Sequence, residues 1–138
     1  MNAGFVADAS LAIAWVIDSQ SSRDADQLLQ DIVSGTPFFV PSLWKFEVAN
    51  TLLVLLRRRR IDTTSYKGAR RDISQLTPVF DDSPRQIWEQ IWDLAENYRL
   101  SVYDATYLEL ALRRHLPLAS RDAALNKAAK ASGVKTLL

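Results

Sequence analysis

Gly4-Phe5-Val6-Ala7-Asp8-Ala9-Ser10 is the stretch from which the fold is read. A short apolar run stops at an acid, which reads as a buried strand, and Ser10 is placed to cap a helix from Leu11 to about Ile17. The same unit recurs along the chain. Phe38-Phe39-Val40, between Pro37 and Pro41, is a second strand, and Ser42 opens a long helix to about Arg58. Pro78-Val79-Phe80 is a third strand, ended by Asp81-Asp82, and Leu116-Pro117-Leu118-Ala119 is a fourth. Val134 to Leu138 suits a last short edge strand.

Helical patterns fill the intervals. One starts at Ser21 or Ser22 and ends at Gly35, a C-cap glycine. Another opens at Asp62 or Thr63 and runs to about Leu76. Ser83-Pro84-Arg85-Gln86 has the form of a capped helix start, leading into a helix that places Ile87, Trp88, Ile91, Trp92 and Ala95 on one side. Ser101 precedes a helix from about Tyr103 to Arg114, and Asp122 begins one that reaches Ala131 and stops at Gly133. Strands alternating with helices predict an α/β fold with a central, mostly parallel sheet of four to five strands flanked by helices. There is no internal repeat, low-complexity segment or linker, so residues 1–138 read as one domain.

Composition narrows the function. The chain has no cysteine, which removes disulfides, thiol nucleophiles and cysteine-bound zinc and suits a reducing cytoplasm. Met1-Asn2-Ala3-Gly4 lacks the basic and apolar regions of a signal peptide, and no apolar run approaches the roughly 20 residues of a membrane span. The expectation is a cytoplasmic protein with no membrane partner. Net charge is only +1, yet Arg57, Arg58, Arg59 and Arg60 stand in one run, with Arg70/Arg71 and Arg113/Arg114 as pairs. A local basic surface on a nearly neutral chain can bind phosphates; the alternative is that these arginines solvate helix ends and complement the helix dipole.

Most of the 16 acidic residues sit where solvent-facing acids belong, including Asp24, Asp26, Asp31, Asp72, Glu89, Asp93, Glu96 and Glu109 on otherwise amphipathic helices. Four do not. Asp8 closes the first strand, Asp122 follows the fourth, and Asp104 lies in the first turn of a helix. In a parallel sheet both strand-end acids project toward the edge where ligand sites form and helix N-termini point. Each also has a local reading: Asp122 as a cap, and Ser101-Val102-Tyr103-Asp104 as a capping box. Glu47 is less easily explained that way. It lies in the helix Leu43 to Leu56, apolar on nearly every side, where an unpaired carboxylate is costly to bury. Lys45 cannot share its face, whereas Asn50 and Thr51, three and four residues on, extend a polar stripe from it. Several carboxylates in one pocket raise one another's pKa, and a divalent cation removes the conflict. An all-oxygen set without cysteine or paired histidine suits Mg²⁺ or Mn²⁺. The only histidine, His115, lies at a helix end, and no base is placed to activate a serine.

The segments Val6-Ala7-Asp8-Ala9-Ser10, Val40 to Asn50, Tyr103-Asp104-Ala105 and Leu118-Ala119-Ser120-Arg121-Asp122 resemble the four acidic motifs of the PIN domain. Their order and spacing resemble the VapC toxins of bacterial and archaeal VapBC toxin–antitoxin modules, over essentially the whole chain. The resemblance implies a PIN-domain fold and an Mg²⁺- or Mn²⁺-dependent endoribonuclease acting as a toxin. It also implies a homodimer and a cognate VapB antitoxin whose C-terminal part covers the acidic groove. Asp8, Glu47, Asp104 and Asp122 match the family's acidic residues, with Ser10, Asn50 and Ser120 in support. Ser120 stands where threonine is frequent and keeps the hydroxyl.

On this reading RNA is the substrate, Arg57 to Arg60 hold its backbone, and base choice falls to loops or to aromatics such as Trp15, Trp44 and Tyr103, which equally suit a core. A DNA nuclease or another phosphoesterase would use the same acidic pocket. A receiver-like signalling module would need an acidic pair after the first strand, where Asp8 stands alone. A protein-binding fold would make all four acids caps, and metal binding separates it from the nucleases.

Overall fold

A computed structural model describes residues 3–85 and 88–138. Its centre is a four-stranded, all-parallel sheet in the order β3-β2-β1-β4, formed by β1 (Phe5–Ala7), β2 (Phe38–Val40), β3 (Val79–Phe80) and β4 (Leu118–Ala119). Val6 pairs with Phe39 on one side and Leu118 on the other, so β1 is central and fully buried. That explains its continuous apolar sequence, since a strand covered on both faces has no solvent side to make polar. The C-terminal segment contributes a single parallel bridge, Thr136 to Leu118, rather than the expected fifth strand.

Seven α-helices flank the sheet among the described residues: α1 (Ala9–Val16), α2 (Arg23–Val33), α3 (Leu43–Arg57), α4 (Thr63–Ser74), α5 (Trp88–Tyr98), α6 (Val102–Arg114) and α7 (Ala123–Ala131). α1 packs on α2, α3 and α4, while α6 packs on α5, α7, β1 and β4. None is long and apolar enough to cross a membrane. The expected helix start over Ser83 to Gln86 runs into Gln86 and Ile87, which lie outside the described residues.

Several local readings change. α1 is capped by Asp8, whose carboxylate accepts from the Leu11 amide, and not by Ser10. Ser42 makes no side-chain cap to α3; its amide and hydroxyl both donate to Asp82, at 2.8 and 2.6 Å, which ties the end of β3 to the start of α3. α3 is not buried nearly all round: Trp44, Val48 and Leu52 face the core, whereas Phe46 is 68% exposed. Gly4 has φ +102, and a Cβ there would collide with the Pro37 carbonyl oxygen, so β1 approaches the entry to β2 as only glycine allows.

Candidate active site

Because the four strands are parallel, their C-terminal ends share one edge, and the helices that follow start there. Asp8 leaves the end of β1, with its amide bonded to the Ala119 carbonyl of β4. Ser120 and Asp122 follow β4 directly. Glu47 lies in the second turn of α3, the helix that leaves β2, and Asp104 in the first turn of α6.

Asp8 is 5% exposed and bound on both oxygens: the Ser10 hydroxyl donates to Oδ1 and the Ser120 hydroxyl to Oδ2, each at 2.6 Å. The serines are themselves fixed. The Arg121 amide donates to Ser10 Oγ and the Asp122 amide to Ser120 Oγ, both at 2.9 Å. One carboxylate is thus held by hydroxyls from two strand ends, and each hydroxyl is held by the backbone of the β4–α7 connection. Of the residues expected in support, Ser10 and Ser120 bond Asp8, while Asn50 is exposed one turn beyond Glu47 and has no such bond among the described residues.

Burial pushes the Asp8 carboxyl up, partly offset by the two serines and the Leu11 amide, with the charge of Asp122 adding to the rise. Glu47 is half-buried and receives a 2.7 Å hydrogen bond from the Tyr107 hydroxyl. Burial raises its pKa too, the Tyr107 bond opposes this, and the charge of Asp8 adds to it. Asp104 is pushed up to about 6, first by burial and then by the charges of Asp122, Asp8 and Glu47. Its amide takes the Ser101 cap at 3.0 Å. Asp122 does cap α7, its Oδ1 accepting from the Ala124 and Leu125 amides, and still acts electrostatically on both Asp8 and Asp104. Capping and membership of the cluster are therefore compatible, as an anionic cap at a helix N-terminus should be.

The four acids form one electrostatic unit, and none of them is in an ion pair among the described residues. Four carboxylates with two serine hydroxyls make an all-oxygen donor set of the kind hard divalent cations take. Among the described residues no three such side chains are gathered into a ready-made metal site. Like charges that would meet only around a cation have every reason to stay apart without one. In donor chemistry and charge the residues fit Mg²⁺ or Mn²⁺.

The structure places other candidates outside this cluster. Arg57 to Arg60 are exposed at the end of α3, more than two helical turns beyond Glu47. Trp44 is buried and Trp15 donates its indole N–H to the Ala25 carbonyl while packing on Phe38, so both belong to the core. Tyr103 is exposed beside Asp104. Glu109, expected in solvent, is 3% exposed and bound by Arg113 and Ser83, while Arg113 and Arg114 both reach Asp81. That arginine pair is therefore structural. Sequence reasoning passed over Tyr107; its spacing of three from Asp104 puts it on the same helical face, the one available signal.

Comparison with known proteins follows the same lines. The PIN domain family model matches residues 5–131. Ribonuclease VapC9 of Mycobacterium tuberculosis is 28% identical over 130 residues, covering 91% of each protein, and a VapC ribonuclease of Mycobacterium bovis matches to the same extent. Among solved structures, PAE2754 from Pyrobaculum aerophilum superposes with a TM-score of 0.72 at 22% identity, over 99% of this chain and 92% of that one. FitAcB from Neisseria gonorrhoeae does so with a TM-score of 0.66 at 15% identity, over 97% and 96%. At such identities the structural likeness speaks for the fold.

Proposed function

The chain belongs to the PIN domain family, and on that premise we propose that it is an Mg²⁺- or Mn²⁺-dependent endoribonuclease acting as the toxin of a toxin–antitoxin pair. One observation carries the reading: Asp8, Glu47, Asp104 and Asp122 lie toward the C-terminal edge of the sheet within electrostatic reach of one another, and among the described residues none of them is paired with a cationic side chain. The ribonuclease names of the VapC relatives supply the substrate class.

Held by these four carboxylates, a divalent cation would supply charge neutralisation at a phosphodiester and a more acidic water. The chain's own residues do the rest. Ser10 and Ser120 orient Asp8, and Tyr107 orients Glu47. In the hydrolysis, water adds to phosphorus, one P–O ester bond breaks, and the departing oxygen leaves as a hydroxyl. Asp104, which burial and the charges of Asp122, Asp8 and Glu47 push up to about 6 in the metal-free protein, would give up its proton to join that donor set. Arg57 to Arg60 would grip neighbouring phosphates without reading sequence. A VapB-type antitoxin would cover the acidic groove. Trp88 and Trp92, 52% and 56% exposed, form an apolar patch on α5 suited to a homodimer contact.

The test is cleavage of end-labelled single-stranded RNA and of a matched DNA strand, with calorimetry of metal binding on partner-free protein. The reading expects RNA cleavage that depends on Mg²⁺ or Mn²⁺ and stops with chelator. Preferential DNA cleavage would transfer the pocket to the other nuclease class, and no binding at millimolar metal would overturn the reading.

A further inference from the structure

We propose that the buried hydroxyl of Tyr107 presents Glu47 to a cation through one oxygen only, and so biases the site toward Mg²⁺ or Mn²⁺ over Ca²⁺. The inference rests on the cation-dependent reading above and assigns a positioning residue within it.

Tyr107 is 1% exposed and among the largest fully buried side chains, so core packing fixes where its ring lies. A buried phenol must spend its O–H on a partner, and at neutral pH it donates. That partner is Glu47 Oε1, at 2.7 Å, reached from α6 across to α3. The glutamate is only half-buried, and without this bond its flexible side chain would be free to turn. With it, one oxygen is occupied by a donor on a rigid ring and the carboxylate's orientation is set. Oε2 is the oxygen left to meet a ligand.

Asp8 is restrained on both oxygens: Oδ1 accepts from the Ser10 hydroxyl and the Leu11 amide, which fills its two acceptor sites, and Oδ2 accepts from Ser120 alone, which leaves one site there for a cation. Two of the four acids are therefore tied by hydroxyl donors that compete with chelation through both oxygens at once. Mg²⁺ binds at short distance in near-ideal octahedral geometry and takes one oxygen per carboxylate. Ca²⁺ accepts about 6–8 oxygens and readily uses both oxygens of a glutamate. A tethered Glu47 suits the first and handicaps the second.

Calorimetric titration of Mg²⁺, Mn²⁺ and Ca²⁺ into the wild type, Tyr107→Phe, Glu47→Gln and the double variant tests this without recourse to activity. The phenylalanine variant should lose about tenfold in Mg²⁺ affinity, the scale on which removing an orienting partner acts. Its Ca²⁺ affinity should hold or rise, so the Mg²⁺/Ca²⁺ ratio falls at least as much. In the Glu47→Gln background the hydroxyl should no longer matter. Equal losses for both cations, no loss, or a loss that persists beside Glu47→Gln would overturn the assignment while leaving the nuclease reading intact. A wild type that binds none of the three would instead sink that reading, and this one with it. Should Tyr107→Phe fail to fold, the hydroxyl proton of Tyr107 in the wild type serves in its place. Its low-field resonance should move on saturation with Mg²⁺, and a resonance that stays put overturns the proposal.

Discussion

Helix α6 takes part in two carboxylate clusters built in opposite ways. At its start, Asp104 faces Asp8, Glu47 and Asp122, and the donors that reach the cluster are hydroxyls and backbone amides. Further along, Glu109 accepts from Arg113 at 2.8 Å and from Ser83 at 2.7 Å, while Asp81 accepts from both Arg113 and Arg114. Burial does not distinguish the two, because Glu109 at 3% is as buried as Asp8 at 5%. Charge balance does. In the second cluster burial pushes the Asp81 carboxyl up, but the hydrogen bonds and charges of Arg113 and Arg114 outweigh it and leave the pKa lowered. In the first, nothing outweighs burial at Asp8, Glu47 or Asp104, and the charges of neighbouring acids add to the rise. A buried acid that has its arginine holds the fold together; a set of acids left in deficit is where a cation is wanted.

The largest effect should come from breaking the unbalanced cluster. Asp104→Asn should reduce RNA cleavage by on the order of 10³-fold or more, the scale of removing one preorganised electrostatic contact. The same variant should unfold in urea no earlier than the wild type, since it relieves repulsion. Asp8→Asn should be equally inactive but should lose about 1 kcal/mol, because an amide has one acceptor oxygen where Asp8 serves Ser10, Ser120 and the Leu11 amide with two. An Asp104→Asn protein that cleaves at the wild-type rate would erase the distinction between the clusters.

The balanced cluster should respond in the opposite sense. Arg113→Met leaves Glu109 with an uncompensated charge in the interior and Asp81 with Arg114 alone, and it should cost about 3 kcal/mol in urea unfolding. Cation affinity, measured by calorimetry in the protein that remains folded, should stay near the wild-type value. Unchanged stability would show that Arg113 is dispensable and that Glu109 finds solvent.

The smallest effect is in pH dependence, and the clusters differ in sign. Asp104, raised to about 6 in the fold, keeps its proton between about pH 4 and 6, where the unfolded chain has lost it. Folding is therefore favoured at the low end of that window, and stability declines as pH rises through it, levelling off above. Asp81, lowered in the fold, contributes stability that is complete above its unfolded pKa and is lost as pH falls through its folded value. In melts of metal-free protein, Asp104→Asn should gain on the wild type from pH 4 to 6, by on the order of 1 kcal/mol after solvent screening. A gap that is constant with pH would mean that Asp104 does not titrate in that window.

Strand and helix order could be read from the chain because the strands are short apolar runs bounded by proline or an acid, patterns that are local and that mark even the exposed β3. The four acids could be read as candidates because strand ends and helix starts are also local features. What local pattern could not separate was capping from membership of the cluster, and in Asp122 the two coincide in one side chain. It also misplaced Glu109 and Arg113, whose helical pattern looked solvated, because the partners that complete their network, Ser83 for Glu109 and Asp81 for Arg113, lie 26 and 32 residues away in sequence. The bond from Tyr107 to Glu47 spans 60 positions and that from Ser120 to Asp8 spans 112. Sequence alone thus determined which residues could carry charge to one edge of a parallel sheet. Only the tertiary structure decided which of those charges were neutralised, since hydrogen bonds and ion pairs depend on separations of a few ångströms that chain order does not encode.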